Sequence, residues 1–137
     1  MSLFNVFDVA GSGMNAQSTR LNLTASNLAN ADSVASRPQD AYRAREPVFA
    51  AALKAAHGQS ASTQVQLRGV VASNAEINST YEPSNPMADA KGYVYHSNVN
   101  TVESMVNMIS ASRSYQNDVE VMNTSKDLLL QTLRLGR

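Results

Sequence analysis

Both ends of this chain carry a long apolar pattern that repeats about every three and a half residues. Near the start, the pattern is formed by Leu3, Phe7, Ala10, Met14, Gln17, Leu21, Thr24 and Leu28. Toward the end, it is formed by Met105, Met108, Ser112, Tyr115, Val119, Met122, Lys126, Leu129 and Leu133. This period is that of a coiled-coil seam, because it keeps one stripe of each helix facing its partner. The sequence therefore predicts two terminal helices that pair with each other around an inserted middle region.

The bulk composition excludes several classes of protein. The chain has 137 residues, a formal net charge of zero and only 16% charged residues. A binder of nucleic acid needs a basic face to displace counterions, so we expect no nucleic-acid partner. The longest apolar run, residues 48–53, is far shorter than the roughly 20 residues that span a bilayer. We therefore expect a protein of about one domain that is not inserted in a membrane.

The first helix, expected over about residues 3–31, has an unusual polar face. Residues 1–31 of the chain contain just two charged side chains, Asp8 and Arg20. The rest of the polar face is made of small neutral groups: Asn15, Ser18, Thr19, Asn22, Ser26, Asn27 and Asn30. Such groups form hydrogen bonds in a crowded interface without the desolvation cost of an ion. The pattern favours a helix surrounded by other protein, and a solvated polar helix is the alternative.

Glycines and a proline set the limits expected for the first helix. Gly11 and Gly13 each weaken a helix by roughly 1 kcal/mol relative to alanine. We therefore expect a frayed or kinked beginning and a firm helix from about Ser12 or Met14. Asn30 supplies a stop signal, and Pro38 prevents the helix from continuing.

The middle region mixes strand and loop signals. Residues 41–47 fit a strand, and residues 48–56 fit either a short helix or a strand. Residues 57–63 are small and polar and predict a loop. Three further segments are strand candidates by alternation or composition: residues 64–72, 75–81 and 92–97.

The second helix is expected from about Thr101, with Asn100 or Thr101 as its N-cap, to about Leu135, where Gly136 ends it. A helix of this length would extend about 50 Å. A chain of this size cannot cover such a helix by itself. We therefore expect self-assembly.

Signals for catalysis are weak. His57 lies in the polar loop, and His96 alternates with tyrosines on a candidate strand, neither with a partner at metal-ligand spacing. The Gly11-Ser12-Gly13 sequence is too short for a phosphate-binding loop. The chain has no cysteine. We expect no catalytic residue, no metal, no cofactor and no small-molecule substrate.

Two terminal motifs resemble the axial-protein family of the bacterial flagellum. Residues 12–32 resemble the family's N-terminal rod signature, whose S-N-L-A-N run matches residues 26–30 one for one. Residues 103–133 resemble the family's C-terminal helix, and the short middle region is similar to that of proximal-rod members. One departure is Ser97, where the family usually has proline, so we expect a less rigid start of the second helix.

The resemblance implies an α+β fold and a structural function. The fold would pair the helix of residues 1–33 with that of residues 99–137 as an antiparallel coiled coil, around a β-rich or irregular middle region, residues 34–98. The protein would be a subunit of the proximal rod of the basal body, a helical tube that crosses the periplasm, transmits torque and carries the export channel. It would leave the cytoplasm through the flagellar type III export apparatus without a cleavable signal peptide. Its partners would be other proximal and distal rod proteins and the adaptor that joins the rod to the membrane ring.

The residues expected at the assembly interface lie mostly on the two seams. Asn27 and Asn30 would add buried polar contacts and end the first helix. The full set is Met14, Leu21, Asn27, Leu28, Asn30, Met105, Ile109, Tyr115, Val119, Met122, Leu129 and Leu133. Two alternatives remain at this point: a soluble coiled-coil adaptor or secretion chaperone, and an enzyme with its site in residues 34–98.

Overall fold

A computed structural model describes residues 3–54 and 62–135. Two long helices enclose a set of short and long strands, which confirms the predicted α+β class. In chain order the elements are α1 (Leu3–Ala29), β1 (Val34–Ala35), β2 (Arg45–Lys54), β3 (Ser62–Ala72), β4 (Ser79–Tyr81), β5 (Tyr93–His96) and α2 (Thr101–Leu135).

Helix α1 is continuous through both of its glycines and begins at Leu3, earlier than the firm start predicted at Ser12 or Met14. Gly13 has a packing role in this helix. A Cβ at this position would come within 2.8 Å of Asp118 Oδ2, so the missing side chain makes room for α2. The end of α1 is as predicted. Asn30 Nδ2 donates to the Ser26 carbonyl at 2.8 Å, and Ser33 Oγ donates to the Asn30 carbonyl at 2.7 Å. Each of these carbonyls also accepts a backbone N–H, so the side-chain bonds reinforce the turn that ends the helix.

Helix α2 begins with a side-chain cap, as predicted. Asn100 Oδ1 accepts a hydrogen bond from the Glu103 backbone N–H at 3.1 Å, which is the geometry of an N-cap bonding the third helical residue. The helix then runs for 35 residues to Leu135. Gly136, expected to end it, lies outside the described residues.

Ser97 is anchored by two hydrogen bonds before α2. Its backbone N–H donates to the Ser33 carbonyl at 3.1 Å, and its Oγ accepts from the Val99 N–H at 3.1 Å. The side chain is buried. A proline has no N–H and cannot form the first of these bonds. The serine therefore restrains this turn by hydrogen bonds where a proline would restrain it through its ring.

The two helices pair in antiparallel orientation. Gly13 of α1 lies against Asp118 of α2. Further along α1, Arg20 Nη2 donates to Asn107 Oδ1 of α2 at 2.7 Å. The residue numbers of the facing α2 residues therefore decrease as those of α1 increase. This arrangement confirms the predicted antiparallel pairing.

The buried seam agrees with the prediction at Ala10 and Thr24 of α1, which are buried, and differs from it on α2. On α2 the buried residues are Ser104, Ala111 and Ser125, each one position before a predicted seam residue. Met105 and Leu133 are exposed instead. The seam prediction is wrong here because it favoured large apolar side chains, whereas two helices in close contact need small ones.

The middle region forms two antiparallel sheets. The first has the order β1-β5-β4, with the fully buried Val94 in its central strand. The second is the long β2–β3 hairpin, with a bulge at Val48/Phe49. Residues 45–54 are strand, which decides between the two predicted conformations of residues 48–56 as far as Lys54. The predicted loop 57–63 is wrong for Ser62 and Thr63, which begin β3, and residues 57–61 lie outside the described residues.

The core is small throughout the described part of the chain. The buried apolar residues are Ala10, Ala35, Ala41, Val94 and Ala111. Four of these five are alanines, each of which removes little apolar surface from water, so intrachain burial stabilises this fold weakly. Neither described helix is long and apolar enough to cross a membrane.

The two glycines of α1 provide a test of the close helix contact. Replacing Gly11, which has nothing near its Cβ position, with alanine should stabilise the chain by about 1 kcal/mol through helix propensity. Gly13→Ala should gain less, because the Asp118 carboxylate must move. Urea unfolding of the full chain followed by circular dichroism measures both changes. In an Asp118→Ala background the two substitutions should become equivalent, and a Gly13→Ala gain equal to that of Gly11→Ala in the native background would contradict the close contact.

Candidate interaction site

The last turn of α1 places Asn27 at the base of the β2–β3 hairpin. Asn27 is only 6% exposed. Its Nδ2 donates to the Arg45 carbonyl at 2.9 Å, and its Oδ1 accepts from the Arg45 N–H at 2.9 Å. The side-chain amide therefore bonds both backbone groups of one strand residue, as a neighbouring strand would. The Tyr42 hydroxyl donates to the same Oδ1 at 3.1 Å and completes the set.

A second asparagine holds the residue that precedes β2. Asn98, just before α2, accepts at Oδ1 from the Ala44 N–H at 2.7 Å. Its Nδ2 donates to the Ala75 carbonyl at 3.0 Å and to the Ser73 carbonyl at 3.4 Å. We refer to residues 42–45 and 73–75 as the hairpin base. The helix pair thus contacts the hairpin base through two amide side chains, one from each helical end.

The hairpin base is also tied internally. The Ser73 N–H donates to the Ala44 carbonyl at 2.7 Å. Arg43 Nη1 donates to the carbonyls of Ser73 and Ala75 at 3.1 and 3.2 Å. The guanidinium satisfies carbonyls that the end of the sheet leaves without a ladder partner. The two chain segments that enter and leave the hairpin are therefore held together.

A cleft of about 630 Å³ separates α1 from the hairpin and the start of α2. Its lining is mixed: it includes the polar Arg20–Asn107 pair, and Phe49 and Val65 of the hairpin form an apolar part of its wall. Gln17 lines it as well, and within the described residues its buried Oε1 accepts no hydrogen bond. Among residues 3–54 and 62–135, no group of three or more His, Cys, Asp or Glu side chains is placed to hold a metal.

The turn between β4 and β5 is organised by Asp89. Its carboxylate accepts from the N–H groups of Tyr93 and Lys91 at 2.9 and 2.8 Å, and from the Tyr95 hydroxyl at 3.2 Å. The bond from the Tyr93 backbone is the main cause that lowers the pKa of Asp89. Partial burial, followed by the Asp89 carboxylate, raises the pKa of Tyr95. These shifts belong to a structural turn, because both groups bond within it.

The structure divides the sequence-predicted interface residues into three groups. Asn27 is buried at the hairpin base, and Asn30 lies at the end of α1. The second group is half-buried beside the helix seam: Met14, Leu21, Leu28, Val119, Met122 and Leu129. The third group is exposed on α2: Met105, Ile109, Tyr115 and Leu133. Asn27 and Asn30 therefore have roles within the chain. The side chains of the third group remain exposed in the single chain.

Sequence reasoning missed Asn98, Tyr42 and Arg45 as parts of one site. Their partners lie far away along the chain: Asn98 and Ala44 are 54 positions apart. No spacing rule joins residues at such separations. The one usable signal was the exposed-looking asparagine run before α2, which the cap at Asn100 alone appeared to explain.

Removing the Asn27 side chain should destabilise the chain. Asn27→Ala deletes three hydrogen bonds and leaves part-buried backbone groups of Arg45 unpaired, so we expect a loss of about 2 to 4 kcal/mol. The matched control, Asn22→Ala on the exposed side of α1, should change stability by about 0.5 kcal/mol or less. Urea unfolding of the two variants measures the difference. Equal effects would show that the hairpin base does not depend on Asn27.

Both helical ends of the chain match models of known families. Residues 7–35 match the model described as "Flagella basal body rod protein". Residues 90–135 match the model described as "Flagellar basal body rod FlgEFG protein C-terminal". The two matches cover α1 and α2, the elements that form the antiparallel pair.

Similar proteins match over the whole length. Proteins named "Flagellar basal-body rod protein FlgC" from Escherichia coli O157:H7 and Salmonella typhimurium are each 53% identical over 137 residues, covering 100% of both chains. The protein of that name from Buchnera aphidicola subsp. Baizongia pistaciae is 34% identical over 139 residues, again covering 100% of both. The chain therefore belongs to the family of flagellar basal-body rod proteins and is similar along its entire length to the members named FlgC.

Proposed function

We propose that this chain is a structural subunit of the flagellar basal-body rod, held in the rod by burial of surface that the single chain leaves exposed. The observation that supports this proposal best is the size of the surface that the single chain leaves exposed. The chain exposes 9338 Å², whereas a compact monomer of 14.7 kDa exposes about 6,900 Å². The excess of about 2,400 Å² is in the range that permanent protein interfaces bury.

Much of the excess is apolar and lies on α2. Four large side chains follow one another at helical spacing near its start: Val102, Met105, Val106 and Ile109. We call them the α2 apolar patch. They are between 50% and 69% exposed. A contiguous apolar surface of this kind is typical of a protein–protein contact.

The far end of α2 exposes further apolar side chains, on two sides of the helix. Leu128, Leu130, Leu133 and Leu135 are all exposed there. Helix α2 has 35 residues against 27 in α1, so it extends about 12 Å further. The contact of Gly13 with Asp118 places this additional length beyond the beginning of α1. Neighbouring subunits are the available cover for these leucines.

The β2–β3 hairpin presents an apolar face as well. Its strand register places five side chains on one side of the two-stranded sheet: Phe49, Leu53, Val65, Leu67 and Val70. We call these residues the hairpin apolar face. All except Phe49 are exposed. Phe49 and Val65 of this face line the cleft opposite α1. A two-stranded sheet is marginally stable alone in water, and a neighbouring rod subunit would cover the exposed remainder of the face.

The finer parts of the proposal concern the position in the rod and the partners. We place the chain in the proximal rod, next to other proximal and distal rod proteins and to the adaptor that joins the rod to the membrane ring. It would reach this place through the flagellar type III export apparatus and contribute to a tube that transmits torque. The similarity to FlgC proteins supports this placement. The half-buried residues beside the helix seam would complete the interface formed by the exposed ones.

The alternatives receive less support. The matched family is a structural one, which is not a class of enzymes. A soluble coiled-coil adaptor or secretion chaperone has no support among the matches.

A charge in the α2 apolar patch should block assembly without unfolding the subunit. Ile109 is exposed, so Ile109→Asp should leave the chain's own fold intact, yet burying the carboxylate in an interface would cost several kcal/mol. We expect loss of swimming in a strain whose own copy is deleted, with export of the variant retained. Swimming in soft agar and the amount of exported subunit measure the two effects.

The neighbouring Ser110→Asp is the matched control, because Ser110 is exposed and polar. It should swim. Wild-type swimming by Ile109→Asp would contradict the assignment of the α2 apolar patch to an interface.

A further inference from the structure

We propose that the two ends of α2 bind each other between copies of this chain: the last turns of α2 in one copy pack on the α2 apolar patch of the next copy. This inference rests on the proposed rod function. It adds to that function which two surfaces of neighbouring subunits are in contact.

The far end of α2 carries a small apolar face with one charge. Leu130 and Leu133 are 44% and 63% exposed. Together with Arg134 they have the i, i+3, i+4 spacing that places side chains next to each other on one side of a helix. We call these three residues the α2 end face. Leu128 and Leu135 lie on another side of the helix and do not belong to it.

The α2 apolar patch has the same arrangement at the other end of the helix. Val102, Met105 and Val106 repeat the i, i+3, i+4 spacing, and Ile109 continues it. Glu103 lies three residues before Val106 and therefore beside it at the edge of the patch. Each end of α2 thus presents an exposed apolar face with a single charged neighbour.

The two charges are opposite. Glu103 is the only charged residue among residues 101–110, and Arg134 is the only one among residues 128–135. Both side chains are exposed, and neither forms an ion pair within residues 3–54 and 62–135. Opposite charges on facing surfaces favour the correct partner and fix its register. The α2 end face and the α2 apolar patch are therefore complementary in both apolar character and charge.

A single chain cannot bring these two surfaces together. Helix α2 is continuous from Thr101 to Leu135, so the centres of the two surfaces lie about 40 Å apart. The far end of α2 also extends beyond the beginning of α1, so the pairing of the chain's own helices leaves it uncovered. The two surfaces can meet only between copies.

A contact between unlike surfaces leads to an open array of subunits. If each surface bound its own kind, Glu103 would face Glu103, or Arg134 would face Arg134, and like charges across an interface are unfavourable. Binding of the end face to the patch leaves one free surface of each kind at the ends of the array, so the next subunit can add. Because the two surfaces lie at opposite ends of one helix, the array grows along the direction of α2.

Disulfide crosslinking in isolated basal bodies tests the contact with the full chain. The chain has no cysteine, so its copies form disulfides only through introduced cysteines. Two differently tagged copies, Val106→Cys and Leu133→Cys, are expressed together in a strain whose own copy is deleted. We expect a crosslinked dimer that carries both tags. The matched control replaces Leu133→Cys with Leu128→Cys, an exposed leucine on the other side of the same helix end, and should give no such dimer.

Two crosslinking results would overturn the pairing. One is a dimer of two Val106→Cys copies or of two Leu133→Cys copies, which would show that like surfaces meet. The other is incorporation of both copies into basal bodies without a crosslink between them. In both results the chain is present in the rod, so the proposed function stands. Absence of the wild-type chain from isolated basal bodies would instead contradict the proposed function.

Charge reversal separates this contact from effects within the helix. Glu103 lies in the first turn of α2 and Arg134 in its last turn, where each charge also interacts favourably with the helix dipole. Glu103→Arg and Arg134→Glu should each impair swimming in soft agar. The double variant Glu103→Arg/Arg134→Glu should restore swimming, because the opposite charges again face each other between copies.

The double variant is decisive because a role within the helix predicts the reverse order. If the two charges acted only on the helix dipole, their losses would add, and the double variant would swim worst of the three. That order would overturn the proposal, as would wild-type swimming by both single variants.

Discussion

The close antiparallel contact between α1 and α2 is the constraint on which the rest of this structure depends. The contact is made by small residues: Gly13 leaves room for Asp118, and Ser104, Ala111 and Ser125 line the buried side of α2. Small side chains allow the helices to approach, but they bury little apolar area. The hydrogen bond from Arg20 to Asn107 fixes the relative position of the two helices more than it raises the free energy of unfolding. The pair is therefore well defined in geometry and weakly stabilised within one chain.

That weakness follows from where the large apolar side chains lie. The methionine, valine, isoleucine and leucine side chains of α2 are mostly exposed, as are four residues of the hairpin apolar face. A monomeric enzyme or adaptor would use such residues to fill its own core. Here, the described core has Val94 as its only member larger than alanine among the buried apolar residues. A subunit built in this way gains most of its apolar burial from its neighbours, which suits a protein whose working state is an assembly.

The helices could be predicted from sequence because their signals are local. The heptad pattern, the Asn100 cap and the Asn30 stop each act within a few residues, and the observed bounds agree with them. On α2 the buried positions lie one residue before the predicted seam, because a pattern search ranks large apolar residues first, whereas close contact selects small ones. The continuity of α1 at Gly13 was missed for the same reason. The hairpin base was beyond prediction, because its bonds join residues dozens of positions apart.

The S-N-L-A-N run at residues 26–30 illustrates how one short motif serves several levels of structure. The Ser26 carbonyl accepts the Asn30 amide, which ends the helix. Asn27, about one turn before Asn30, faces the hairpin. Its side-chain amide bonds the N–H and carbonyl of Arg45 as a neighbouring strand would. Leu28, between them, is half-buried beside the helix seam. Helix termination must fall close to Asn27, because a longer α1 would carry the chain past the hairpin base and could not return it to β1. The motif thus ties the length of α1 to the placement of the hairpin.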